Sequence, residues 1–79
     1  DTGNIIQDRM FSLSGLTLGV IGFGSIGQET AKMFSALGCQ IQYYDPSDPK
    51  VAENLSQIAV KNGKEELLRT SDIISIHVP

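Results

Sequence analysis

The stretch Leu16-Thr17-Leu18-Gly19-Val20-Ile21-Gly22-Phe23-Gly24-Ser25-Ile26-Gly27-Gln28 decides the fold of this 79-residue chain. Residues 16–21 form a short apolar run closed by glycine, with the length of a buried strand. From Ser25 the period changes. Ile26, Thr30, Met33, Phe34 and Leu37 recur at offsets of four, seven, eight and eleven, the stripe of an amphipathic helix. Gln28, Glu29, Lys32 and Ser35 fall on other faces and suit water. Gly38 follows as a C-terminal cap able to take a positive φ.

Working outward, residues 40–44 read as a second strand, stopped at Asp45-Pro46 because Pro46 has no N–H for a ladder. Tyr43 and Tyr44 alternate across it, so one packs inward and the other lies near the strand's exit. Residues 47–54 are polar and read as loop with a short helical turn, and residues 57–60 as a third strand. Residues 64–69 are good helix formers, with Leu67 and Leu68 to face inward. Residues 73–78 are β-rich, with Ile74, Ile76 and Val78 on one side. The order β-α-β-β-α-β predicts an α/β fold, a Rossmann-type parallel sheet with flanking helices, of which this chain is the first half. Right-handed crossovers bring the turns that follow the strands to one edge, where ligands bind in such sheets.

Composition narrows the partners. Charged residues make up 19% and the net charge is −3, with no basic cluster to neutralise a nucleic-acid backbone. The longest apolar run falls far short of the roughly 20 residues of a membrane helix. Neither nucleic acid nor membrane is an expected partner. Cys39 is the single cysteine, which removes a disulfide framework or a cysteine metal site and suits a small buried hydrophobe in a reducing, cytoplasmic setting. Glu65 and Glu66 open a helix, where negative charge suits the dipole; without partnering ligands no metal site is expected. A chain this short buries only about 60% of its unfolded surface. It is expected to be a portion of a longer protein, residues 1–14 a connector and residues 15–79 part of a nucleotide-binding domain.

Gly22-x-Gly24-x-x-Gly27 assigns each glycine a task. Gly22 turns the chain out of the strand, Gly24 lets backbone approach a diphosphate, and Gly27 lets the helix pack closely on the sheet. The N–H groups around Ser25 and Ile26 have no helical acceptors and offer themselves to anionic oxygens. A glycine turn that holds no ligand is the plainer alternative. Asp45, eighteen residues beyond Gly27, ends the second strand where an adenosine ribose would lie. Its carboxylate can accept from both ribose hydroxyls and repels the additional phosphate of NADP, so NAD is the expected cofactor. The competing role for Asp45 is to begin an Asp-Pro turn.

With these residues placed, the chain resembles the D-isomer-specific 2-hydroxyacid dehydrogenases. The likeness runs through the glycine stretch, Tyr44-Asp45-Pro46, Glu65-Glu66-Leu67-Leu68, and Ser71-Asp72-Ile73-Ile74-Ser75-Ile76-His77-Val78-Pro79. The resemblance implies a cofactor domain inserted in a flavodoxin-like substrate domain. It implies NAD held by Gly22, Gly24, Ser25, Ile26 and Gly27 at the pyrophosphate and by Asp45 and Pro46 at the ribose. His77, Val78 and Pro79 would line the adenine side. Many members carry arginine at the position of Ser25, so a cationic phosphate contact is missing here; many carry lysine at the position of Leu16. The family's catalytic arginine, glutamate and histidine would lie after Pro79, leaving no catalytic residue in this chain. His77 is expected to line the cofactor or merely end a strand, not to act as base. The implied reaction interconverts a small 2-hydroxy acid and its 2-oxo acid by hydride transfer, in a homodimer. Two alternatives are an NAD-sensing corepressor-like protein of the same fold and a fragment without activity of its own.

Overall fold

The computed structural model describes residues 13–77. The connector expected at residues 1–14 lies mostly outside these, as do Val78 and Pro79. Four strands, β1 (Thr17–Ile21), β2 (Gln40–Tyr44), β3 (Ala59–Lys61) and β4 (Ile73–Ile76), form one parallel sheet in the order β3-β2-β1-β4. Helix α1 (Ser25–Ala36) joins β1 to β2, α2 (Glu53–Ser56) joins β2 to β3, and α3 (Lys64–Thr70) crosses back to β4. The α/β reading therefore stands, with one element added. The helical turn expected within residues 47–54 appears slightly later, as α2, so the order is β-α-β-α-β-α-β. The third strand is likewise displaced, from residues 57–60 to Ala59–Lys61.

The core lies on one face of the sheet. Leu18 and Val20 of β1, Ile41 of β2 and Phe23 pack against Ala31 of α1 and Leu55 of α2, all at 4% exposure or less. Here the stripe on α1 differs from expectation. Gly27 and Ala31 are its buried residues, with Phe34 half-buried, whereas Ile26 and Met33 face solvent. Gly27 is the cause. A Cβ there would fall on the Gly22 carbonyl oxygen and press on Val20, so the helix rides too close to the sheet for large side chains on its inner face. Gln28, expected in water, is half-buried and hydrogen-bonded to backbone.

On the opposite face α3 covers β1 and β2. Leu67 is fully buried beside Gly19, where no side chain would fit, and Leu68 is 48% exposed rather than inward. Gln42 is the buried polar residue of this face. Its amide nitrogen donates to Thr70 and Ser71 Oγ, both at 2.8 Å, and its oxygen accepts from Asn62 at 2.9 Å. No buried side-chain polar atom among the described residues lacks a partner. At its C-terminus α1 closes on Gly38 at φ +94, with Cys39 N–H bonded to Phe34 O and Gly38 N–H to Ser35 O, a Schellman arrangement. None of the described helices is long and apolar enough to cross a membrane.

Candidate functional site

Every parallel strand points its C-terminal end at the same edge, where the described chain turns after β1, β2 and β3, and where β4 exits at His77. The turn after β1 is fixed at three points. Gly22 adopts φ +91, and a Cβ on it would fall on the His77 carbonyl oxygen, so only glycine fits where β4 exits beside β1. Its N–H donates to Tyr44 O at 2.9 Å. Phe23 is fully buried, its ring stacked on Tyr43 with centroids 4.0 Å apart and planes 10° apart. Such stacking adds about 0.5–1.5 kcal/mol beyond the burial itself. Phe23 N–H donates to Asp45 Oδ2 at 2.7 Å. Gly24, by contrast, would meet nothing within 4 Å if it carried a Cβ. The chain is bound on one side of this turn and open on the other.

Gly24 caps α1 in an extended conformation, and no side chain caps the helix. The first bond back into the turn is Gln28 N–H to Gly24 O at 2.9 Å. The N–H groups of Ser25, Ile26 and Gly27 therefore lack helical acceptors, in front of an open space, at the positive end of a twelve-residue helix. Such a cradle can accept the oxygens of a diphosphate.

Asp45 is more committed than the sequence suggests. Besides Phe23, its carboxylate accepts from Ser47 N–H at 2.9 Å and Ser47 Oγ at 2.6 Å, both on Oδ1. Those bonds, Ser47 Oγ first and then the Phe23 and Ser47 amides, hold its carboxyl below the usual range. A carboxylate offers about four acceptor positions. Three are taken, which leaves Oδ2 with room for one further donor, not the two expected for a pair of ribose hydroxyls. The turn-forming role and an outward acceptor thus coexist in one residue.

Gln28 brackets the same region. Its amide nitrogen donates to Phe23 O at 3.0 Å and Lys50 O at 2.9 Å, and its oxygen accepts from Ala52 N–H at 3.2 Å. The glycine turn and the loop after β2 are thereby held at a set spacing. His77 continues the β1–β4 ladder, its N–H bonded to Ile21 O at 2.7 Å, and its Nε2 lies 2.7 Å from Ser75 Oγ.

One cleft of about 610 Å³ gathers Gly22, Gly24, Ser25, Ile26, Gly27, Asp45, Pro46 and His77. All the site residues named from sequence that are described thus share one surface; Val78 and Pro79 fall outside the described residues. Tyr44 also lines the cleft while Tyr43 packs inward. Sequence reasoning missed Ser47 and Lys64, which line it too, and Gln28 and Phe23, which shape it. Ser47 carried a readable signal, standing two residues after an Asp that starts a turn. Lys64 carried none, because it enters by tertiary placement. No group of three or more potential metal ligands occurs among the described residues.

Comparison with known proteins agrees with this geometry. The family described as D-isomer specific 2-hydroxyacid dehydrogenase, NAD binding domain, matches residues 3–79. The chain is 46% identical over 68 residues to a D-3-phosphoglycerate dehydrogenase of Methanocaldococcus jannaschii, covering 85% of the chain and 13% of that protein. It is 45% identical over 67 residues to a hydroxypyruvate reductase of Thermotoga maritima, covering 85% of the chain and 21% of the relative. Among solved structures, the NAD-dependent formate dehydrogenase of Staphylococcus aureus in complex with NAD superposes with a TM-score of 0.71 at 33% identity, over 85% of this chain and 19% of that one. The chain thus spans about a fifth or less of the length of these relatives. Its four-stranded parallel sheet, its uncapped glycine turn and the match along nearly all its length make it a member of the D-isomer specific 2-hydroxyacid dehydrogenase family, within the NAD-binding domain.

Proposed function

We propose that residues 15–79 are part of the NAD-binding domain of an oxidoreductase that interconverts a D-2-hydroxy acid and its 2-oxo acid, with residues 1–14 a connector into it. The observation that carries this is the open side of the glycine turn. Uncapped N–H groups at Ser25 and Ile26 face a cleft that Gly24 leaves free, with the acceptor of Asp45 along the same edge. In this reading Ser25 and Ile26 bind the diphosphate through backbone, Asp45 Oδ2 takes one ribose hydroxyl, and Pro46, His77, Val78 and Pro79 flank the adenosine. NAD, when bound, supplies a hydride acceptor or donor. The task of this chain is to bind and orient it. The acid substrate and the groups that move its proton belong to the remainder of the parent enzyme, which we take to be a cytoplasmic homodimer. The exposed Met33 of α1 supports burial against another surface, and the lone, buried Cys39 suits a reducing compartment.

The test is turnover by the full-length protein. It should oxidise NADH with a small 2-oxo acid such as hydroxypyruvate, and in reverse should use D-glycerate and not L-glycerate. Absence of turnover across a panel of 2-oxo acids, or preference for the L-isomer, contradicts the proposal.

A further inference from the structure

Lys64 lines the nucleotide cleft and has no ion-pair partner among the described residues. It opens α3, two residues after Asn62, whose N–H donates to Tyr43 O at 2.9 Å. Lys64 and Asp45 line the same cleft; the cation whose charge bears directly on Asp45 is Lys61, already paired with Asp48. Lys32, Lys61 and Arg69 form the three ion pairs among the described residues, with Glu29, Asp48 and Glu66, and Lys64 belongs to none of them. Among the described residues it is the one lysine or arginine lining the cleft. Ser47 stands nearby, but its hydroxyl proton is already given to Asp45.

We propose that Lys64 is a specificity-determining residue that gives this site a measurable affinity for nucleotides bearing a 2′-phosphate, alongside its preference for NAD. The proposal rests on the nucleotide-cleft reading and extends it. Asp45 faces such a phosphate with like charge and disfavours it. Three donors already draw on that carboxylate, and the Lys64 ammonium, in no ion pair among the described residues, lines the same cleft with the opposite charge. Lysine meets a phosphate as a point charge on a flexible stem, so it can reach a phosphate displaced outward by Asp45. The discrimination against NADP is therefore smaller than Asp45 alone would impose.

The experiment is fluorescence titration of NADH and NADPH against full-length wild type, Lys64→Ala and Lys64→Gln, at low and raised salt. Wild type is expected to bind NADH more tightly than NADPH, with NADPH still measurable and the more salt-sensitive of the two. Both variants should keep their NADH affinity within about twofold and lose about tenfold for NADPH, the size of one charge-assisted hydrogen bond. An unchanged ratio of NADPH to NADH affinity in both variants overturns the role of Lys64 alone. So does wild type that binds NADH with no detectable NADPH binding. Wild type that binds neither nucleotide overturns the cleft reading, and this proposal with it.

Discussion

Asp45 accepts three hydrogen bonds from its own chain, and its charge is favoured by folding for that reason. A carboxyl held below its ordinary value in the folded state contributes its full stability above the unfolded value and loses it as pH falls through the folded one. Wild type and Asp45→Asn should therefore differ in unfolding free energy near neutrality and converge in acid, as followed by denaturant titration at several pH values. A gap that persists undiminished at low pH contradicts the assignment. Cys39 is the converse case. Burial, with the Asp72 charge second, pushes its thiol up, and Sγ donates to Leu13 O at 3.3 Å. An aromatic disulfide reagent should label it at least about tenfold more slowly in the native protein than in denaturant; equal rates would place the thiol at the surface. Sequence gave good warning of Cys39, an apolar-sized residue before a strand. It gave half the story for Asp45, because spacing shows where a carboxylate lies and not how many of its lone pairs the fold has already used.

At the scale of elements, the glycine turn has a packed side and an open side, and two substitutions distinguish them. Gly22→Ala sets a Cβ on the His77 carbonyl oxygen at a positive φ, and should cost more than about 2 kcal/mol by loosening the β1–β4 exit. Gly24→Ser enters open space at φ −76 and supplies a cap the helix lacks, so thermal stability should hold or rise by a few tenths of a kcal/mol. The same serine fills the cradle and competes for its N–H groups, so NADH affinity should fall at least about tenfold. A stable Gly24→Ser protein with unaltered NADH affinity contradicts the cradle. The turn itself was legible because three glycines between a strand and a helix have few other uses. The buried face of α1 was not. Periodicity ranks residues by apolarity, whereas a helix pressed against a sheet at Gly27 fully buries only Ala31 beside it, leaves Phe34 half-buried, and sends Ile26 and Met33 outward.

Across the whole molecule, alternation correctly put Ile74 and Ile76 on one side of β4 but could not say whether that side is covered. Helix α3 lies over β1 and β2, so Ile76 stays 64% exposed. Coverage is a property of neighbours, which no local pattern contains. What the sequence does convey is where the first two strands end, through Gly22 and Asp45-Pro46, and parallel strands then assemble the site at one edge without further instruction. That convergence is the central claim, and amide-resolved NMR of the isotopically labelled protein titrated with NADH tests it most directly. Shifts should concentrate at residues 22–27, at Asp45 and Ser47 and at His77, with the Ser25 and Ile26 amides among the largest, while Thr17, Gln40 and Asp72 at the opposite edge stay still. Saturable shifts centred on that opposite edge, or no shifts at millimolar NADH, would contradict it.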